Sequence, residues 1–139
     1  MAKKKTSGKI IHLPQTSEAQ IRSRARNLEI GTCYINSNWE EIREATILIS
    51  RKHKQGGTTF GIFLVDLAMQ GLKDTFYNFN MLEPEYENFL EDYLAKADHD
   101  VVDYVLVHNI IYAAIEFAEV KGIKPHKDFS ISHYILEED

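Results

Sequence analysis

The sequence predicts an α+β domain: an N-terminal helix, an antiparallel sheet of three to four strands, and C-terminal helices packed on one sheet face. Three observations carry that expectation. Residues 45–67 hold two apolar stretches of strand length on either side of Gln55-Gly56-Gly57. Residues 84–121 repeat their apolar side chains at helical spacing instead. A chain of 139 residues that is 44% hydrophobic and 27% charged has the composition and size of one globular domain.

The elements follow in order. Residues 1–14 read as a flexible basic arm, with one short extended piece at 10–13, and residues 15–139 as a single α+β domain. Ser17 followed three residues later by Gln20 matches a capping box, so a helix starts there. Ile21, Ala25 and Leu28 share one face of it, and Gly31 is expected to close it. A short strand is expected at 32–35 and a turn at 36–38. From Ala45, the residues Ala45, Ile47 and Ile49 alternate with Thr46, Leu48 and Ser50, and the strand ends on Arg51-Lys52-His53-Lys54. The Gly56-Gly57 pair supplies the positive φ that tight hairpins need. The next strand, 58–67, is apolar on both faces and should be central. Residues 75–79 form a further strand, with a short helix from Ala68 as the competing reading. Pro84 opens a helix bearing Tyr86, Phe89, Leu90, Tyr93, Leu94 and Ala97. Asp100 is expected to cap a long helix ended by Gly122, and a short helix occupies 128–136. The apolar arc of the long helix exceeds half its circumference. That helix is therefore central, or its outer edge meets a partner chain.

Charge is the most informative bulk property. The formal net charge of −5 conceals a split. Residues 1–57 carry 11 basic and 5 acidic side chains, whereas residues 58–139 carry 5 basic and 16 acidic. The total excludes a uniformly basic nucleic-acid binder. The split allows a local basic surface: Lys3, Lys4, Lys5 and Lys9 in the arm, Arg22 and Arg26 on one flank of the first helix, and Arg51, Lys52 and Lys54 at the hairpin. Arg24 falls on the other side of the Ile21 stripe. The leading expectation is thus a non-enzymatic binding module for RNA or another nucleic acid, or for an acidic protein partner. The competing reading of these positions is that wet hairpin tips and helix flanks are charged for solubility alone.

Two alternatives come from other classes. Asp66 and Asp74, with Glu44 nearby, would hold Mg²⁺ for phosphodiester cleavage if they converged near strand ends; no other cofactor is expected. Alternatively, the over-apolar long helix would make the protein an adaptor subunit or a homodimer. The six histidines, His12, His53, His99, His108, His126 and His133, show no HExxH-type spacing. One cysteine, Cys33, forbids an intrachain disulfide and fits a small buried hydrophobe. Gly56-Gly57 lacks the lysine and helix start of a phosphate loop. Trp39, Tyr77, Tyr86, Tyr93, Tyr104 and Tyr112 suit core or interface better than a base-stacking platform. No signal-peptide run follows the charged start and no apolar segment reaches ~20 residues, so a cytoplasmic protein outside the membrane is expected.

Several stretches together resemble a family of small, uncharacterised bacterial proteins. They are Cys33-Tyr34-Ile35-Asn36 with Trp39, Ser50-Arg51-Lys52-His53, Phe60 to Asp66, Gly71-Leu72-Lys73-Asp74-Thr75-Phe76, and Lys124 to Phe129. The resemblance spans about residues 20–136 and implies a bacterial, cytosolic setting. It transfers no activity and no catalytic residue. Where that pattern has a cysteine-leucine pair before Gly71, this chain has Met69-Gln70. Thiol chemistry at that position is thereby put in doubt.

Overall fold

A computed structural model describes residues 17–139. The arm expected at residues 1–14, with Lys3, Lys4, Lys5, Lys9 and His12, lies outside them. The class is α+β: five antiparallel strands in the order β4-β3-β2-β1-β5, with helices on both faces.

Helix α1 (Ser17–Arg24) runs into a single 3-10 turn (Ala25–Asn27). Strand β1 (Glu29–Asn36) begins directly after Leu28. Gly31 therefore lies inside β1 and does not end the helix, because a register shift between Ile30 and Cys33 bends the strand around it. A four-residue helix α2 (Trp39–Ile42) links β1 to β2 (Glu44–Lys52). The buried Asn36 side chain braces this link. Its amide donates to the Glu44 carbonyl at 3.0 Å, and its oxygen accepts the Thr46 N–H at 2.8 Å. Strand β3 (Thr58–Asp66) pairs with β2 along its whole length, from Lys52 opposite Thr58 to Glu44 opposite Asp66. Residues 67–70 form a turn rather than a helix, and β4 (Gly71–Met81) is longer than the strand expected at 75–79.

Strand alternation sorts the side chains onto two faces. Cys33, Ile35, Ala45, Ile47, Ile49, Phe63 and Val65 face the main core under α1, α4 (Tyr104–Val120) and α5 (Phe129–Ser132). Tyr34, Leu48, Phe60 and Ile62 face the opposite way, against Tyr86, Phe89, Leu90 and Tyr93 of α3 (Glu83–Leu94). The helical cover is thus divided. Helices α4 and α5 share one face, and α3, with Pro84 in its first turn, takes the other.

The stretch 99–102 departs most from expectation. It is a strand, β5 (His99–Val102), paired antiparallel with β1. Asp100 sits in it, accepting the Ser37 hydroxyl at 2.9 Å, and Asp103 caps α4 by accepting the Val105 N–H at 3.0 Å. The run Val101-Val102 reads equally well as helix or strand, and only pairing with β1 decides. At its other end α4 closes in a Schellman arrangement. Gly122, at φ +82°, donates to Glu119 and Ile123 donates to Ala118. Gly71 lets that helix lie close to the sheet: at φ +68° a Cβ there would sit 2.8 Å from Ala118 Cβ.

Candidate functional site

The closed end of the β2–β3 hairpin, with the end of α1 and the start of β1, encloses a cleft of about 530 Å³. Its walls include Arg24, Glu29, Lys52, His53, Lys54 and Asn80. Gly56 and Gly57, both at φ +93°, turn the chain so that the His53 carbonyl accepts the Gly56 N–H at 3.1 Å. A Cβ on Gly57 would strike Asn80, which itself adopts φ +54°. Hairpin and β4 are therefore locked together at the rim of the cleft.

His53 is held from three sides. Its Nε2 lies 2.7 Å from Thr59 Oγ1, which also accepts the Asn80 N–H at 2.9 Å. Its ring meets Phe79 edge-on at 5.0 Å, and the Arg24 guanidinium lies over the same Phe79 ring at 5.2 Å. Partial burial and, second, the Arg24 charge hold the His53 imidazole below its usual pKa. Both effects favour the neutral imidazole. The cleft walls thus carry Arg24, Lys52 and Lys54 with a single acid, Glu29, beside the His53 imidazole and the side-chain amides of Asn27, Gln55 and Asn80.

The basic residues singled out in the sequence separate into distinct groups. Arg22 and Lys54 are exposed. Lys52 is shared: its Nζ donates to Thr58 Oγ1 at 2.9 Å, stands 3.9 Å from Glu83, and lies 5.0 Å over the Tyr86 ring. Arg51 and Arg26 are turned inward and do not belong to a solvent-facing basic surface. Arg51 is only 1% exposed. It donates to the carbonyls of Ile135 and Leu28, each at 2.7 Å, and to Glu137 Oε2 at 2.9 Å. Arg26 donates to Leu136 O at 2.8 Å, pairs with Glu138 at 3.4 Å and covers the Tyr134 ring at 5.0 Å. Part of the charge split is thus internal pairing between the basic half and the acidic C-terminal residues. Of the cleft residues, Asn80 carries no signal in the sequence, and Arg24 and His53 stand out there only as a charge and a histidine outside the predicted basic surface. Arg24 was separated from its neighbours by helical projection, but the helix ends there and the 3-10 turn redirects the chain.

The carboxylates are dispersed into local roles. Asp66 Oδ1 accepts the N–H groups of Ala68 and Met69 at 2.9 and 3.2 Å, capping the turn after β3. Burial alone would raise the Asp66 carboxyl; amide hydrogen bonds and the Lys73 charge outweigh it and leave the carboxyl below its usual range. Glu44 pairs with Lys73, and Asp74 accepts the Thr75 N–H at 2.8 Å. Among the described residues no group of three or more His, Cys, Asp or Glu is placed to hold a metal ion. Cys33 is buried, which pushes its thiol up to about 11 and keeps it protonated at neutral pH. Trp39, Tyr77, Tyr104 and Tyr112 pack against the main core, and Tyr86 and Tyr93 belong to the α3 face. No helix among the described residues is long and apolar enough to cross a membrane.

The fold and cleft define an α+β domain with a basic, polar concavity at one hairpin. No protein family, curated protein or solved structure matches the chain.

Proposed function

We propose that the protein is a non-enzymatic binding module that takes the phosphate backbone of a nucleic acid, RNA in the first instance, into the hairpin cleft. The observation carrying this reading is that Arg24 and Lys54 line one concavity with Asn80 and His53, while Lys52 stands in its wall with its ammonium group engaged by Thr58 and Glu83. Guanidinium and ammonium groups supply most of the affinity for phosphate, while amide and imidazole groups fix position. An acidic peptide would answer the same cations and is the competing occupant of the cleft. The four lysines of the N-terminal arm would add non-specific attraction to the same ligand. The reading assigns no bond-breaking step and no cofactor. The Mg²⁺-nuclease alternative gains nothing from Asp66, Asp74 and Glu44, each of which already has a local partner.

The experiment is a salt titration of binding to single-stranded RNA and to DNA of the same sequence, starting at ~50 mM salt where phosphate contacts are strongest. Binding is expected to weaken linearly in log salt. Lys54→Glu and Arg24→Glu should each reduce the slope by about 1. No detectable binding of either polymer at ~50 mM salt refutes the reading.

A further inference from the structure

Helix α4 buries one face, Val107, Ile111, Ala114, Ile115 and Ala118, against the sheet. It also carries a second apolar stripe, formed by Leu106, Ile110, Ala113, Phe117 and Val120. These residues are spaced alternately four and three apart, the repeat with which one helix seats another. At 100° per residue all five fall within about 40° of Leu106, on the flank beside the buried face. Ile110 stands at the boundary, 9% exposed, and the others are open: Leu106 42%, Phe117 48% and Val120 88%, with Ala113 also exposed. The nearest cover for Phe117 is Lys121, whose Nζ lies 4.1 Å from its ring centre. At 1.5 Å per residue the stripe from Leu106 to Val120 is about 21 Å long, most of the length of this 17-residue helix.

We infer that this stripe is the interface of a homodimer, in which α4 packs antiparallel on α4 of a second copy about a two-fold axis at Ala113. Charge selects both occupant and direction. The helix begins at its cap residue Asp103 and ends at its cap residue Lys121. Asp103 and Lys121 lie on the same side of the stripe, about 60° from its centre. In an antiparallel pair, same-side positions face one another. Leu106 then meets the partner's Val120, and Ile110 meets the partner's Phe117. Asp103 comes beside the partner's Lys121, and the contact repeats by symmetry at the other end. Glu116 falls opposite the partner's Asn109. A parallel pair would instead gather both Asp103 side chains at one end and both Lys121 side chains at the other, with no opposite charge at either end. Ala113, the smallest side chain of the stripe, lies at the crossing where the helix axes approach most closely. The inference does not depend on the nucleic-acid reading, since the cleft contains no residue of α4.

Cross-linking tests the geometry directly. Leu106→Cys and Val120→Cys are prepared separately, mixed, and oxidised mildly; Cys33, 1% exposed, stays out of the reaction. The mixture should yield a disulfide-linked dimer of one copy of each, and neither variant alone should do so. Light scattering of the unmodified chain should give the mass of two copies at ~100 μM. Phe117→Glu, at an exposed position that leaves the core intact, should weaken self-association tenfold or more, because it buries a charge without a partner. Its circular dichroism should be unchanged. A strict monomer at ~100 μM overturns the inference. So does self-linking of Leu106→Cys with no cross-link in the mixture, which would mean a parallel arrangement.

Discussion

Replacing Arg51 by methionine should cost about 2–7 kcal/mol of stability. The guanidinium is buried at the end of β2 and joins two other pieces of chain to it: the Leu28 carbonyl before β1, and the C-terminal segment through the Ile135 carbonyl and the Glu137 carboxylate. Methionine approximates the stem but donates nothing, so two carbonyls at 2.7 Å lose their donor inside the protein. Each buried acceptor left unpaired costs about 1–3 kcal/mol. Glu137 is 56% exposed and regains water, so its share is at most ~1 kcal/mol. The sum is a large fraction of the ~5–15 kcal/mol by which domains of this kind are stable. Urea unfolding followed by tryptophan fluorescence and by circular dichroism measures it. The midpoint should fall with little change in slope, and Glu137→Ala should shift it far less. A loss under ~1 kcal/mol for Arg51→Met would refute the argument that this side chain clamps the C-terminal segment to the sheet.

Further predictions concern caps, protons and the thiol. Asp103→Ala should cost about 1 kcal/mol by removing the side-chain acceptor at the start of α4, and Asp100→Ala clearly less, both read from urea midpoints. His53 and His133 are both held below their usual pKa, by burial first and by Arg24 or by Arg26 and Arg22 second. The unfolded chain therefore binds protons more readily than the folded one. Their contribution to stability is complete above the unfolded value of 6.5 and is lost as pH falls through the lower folded values. Unfolding midpoints should thus decline between about pH 7 and 5, and a His53→Asn, His133→Asn variant should show a flatter decline. Cys33, with its thiol near 11, should resist alkylation in the folded protein at pH 8 and react fully in denaturant. Rapid labelling of the folded chain would contradict its burial.

The α+β class was legible because its signals are local and repeated. Alternation from Ala45 to Ile49, the Gly56-Gly57 turn and the periodic stripes after Pro84 each depend on neighbours within one element. The long helix also showed an apolar arc too wide for a single buried face, and the structure resolves it into a core face and the open stripe from Leu106 to Val120. The candidate site was legible only in outline. A hairpin rich in cations was visible; which cations reach solvent was not. Arg51 and Lys52 are adjacent, yet alternation sends one beneath the C-terminal residues and the other toward Glu83. Val101-Val102 in β5 suits helix and strand alike, and the pairing that decides between them is with β1, about 65 residues away.

The sequence by itself determined the α+β class, the β2–β3 hairpin, the long helices and the uneven distribution of charge. It did so because propensity, periodicity and turn chemistry act over a few neighbouring residues. Tertiary structure alone decided which charges oppose one another and which side chains share a cleft. Arg24, His53 and Asn80 come from three different elements, and Arg26 and Arg51 find their acceptors about 110 and 84 residues along the chain. Pairings at such separations depend on how the sheet and helices close around one core, and no local pattern encodes that closure.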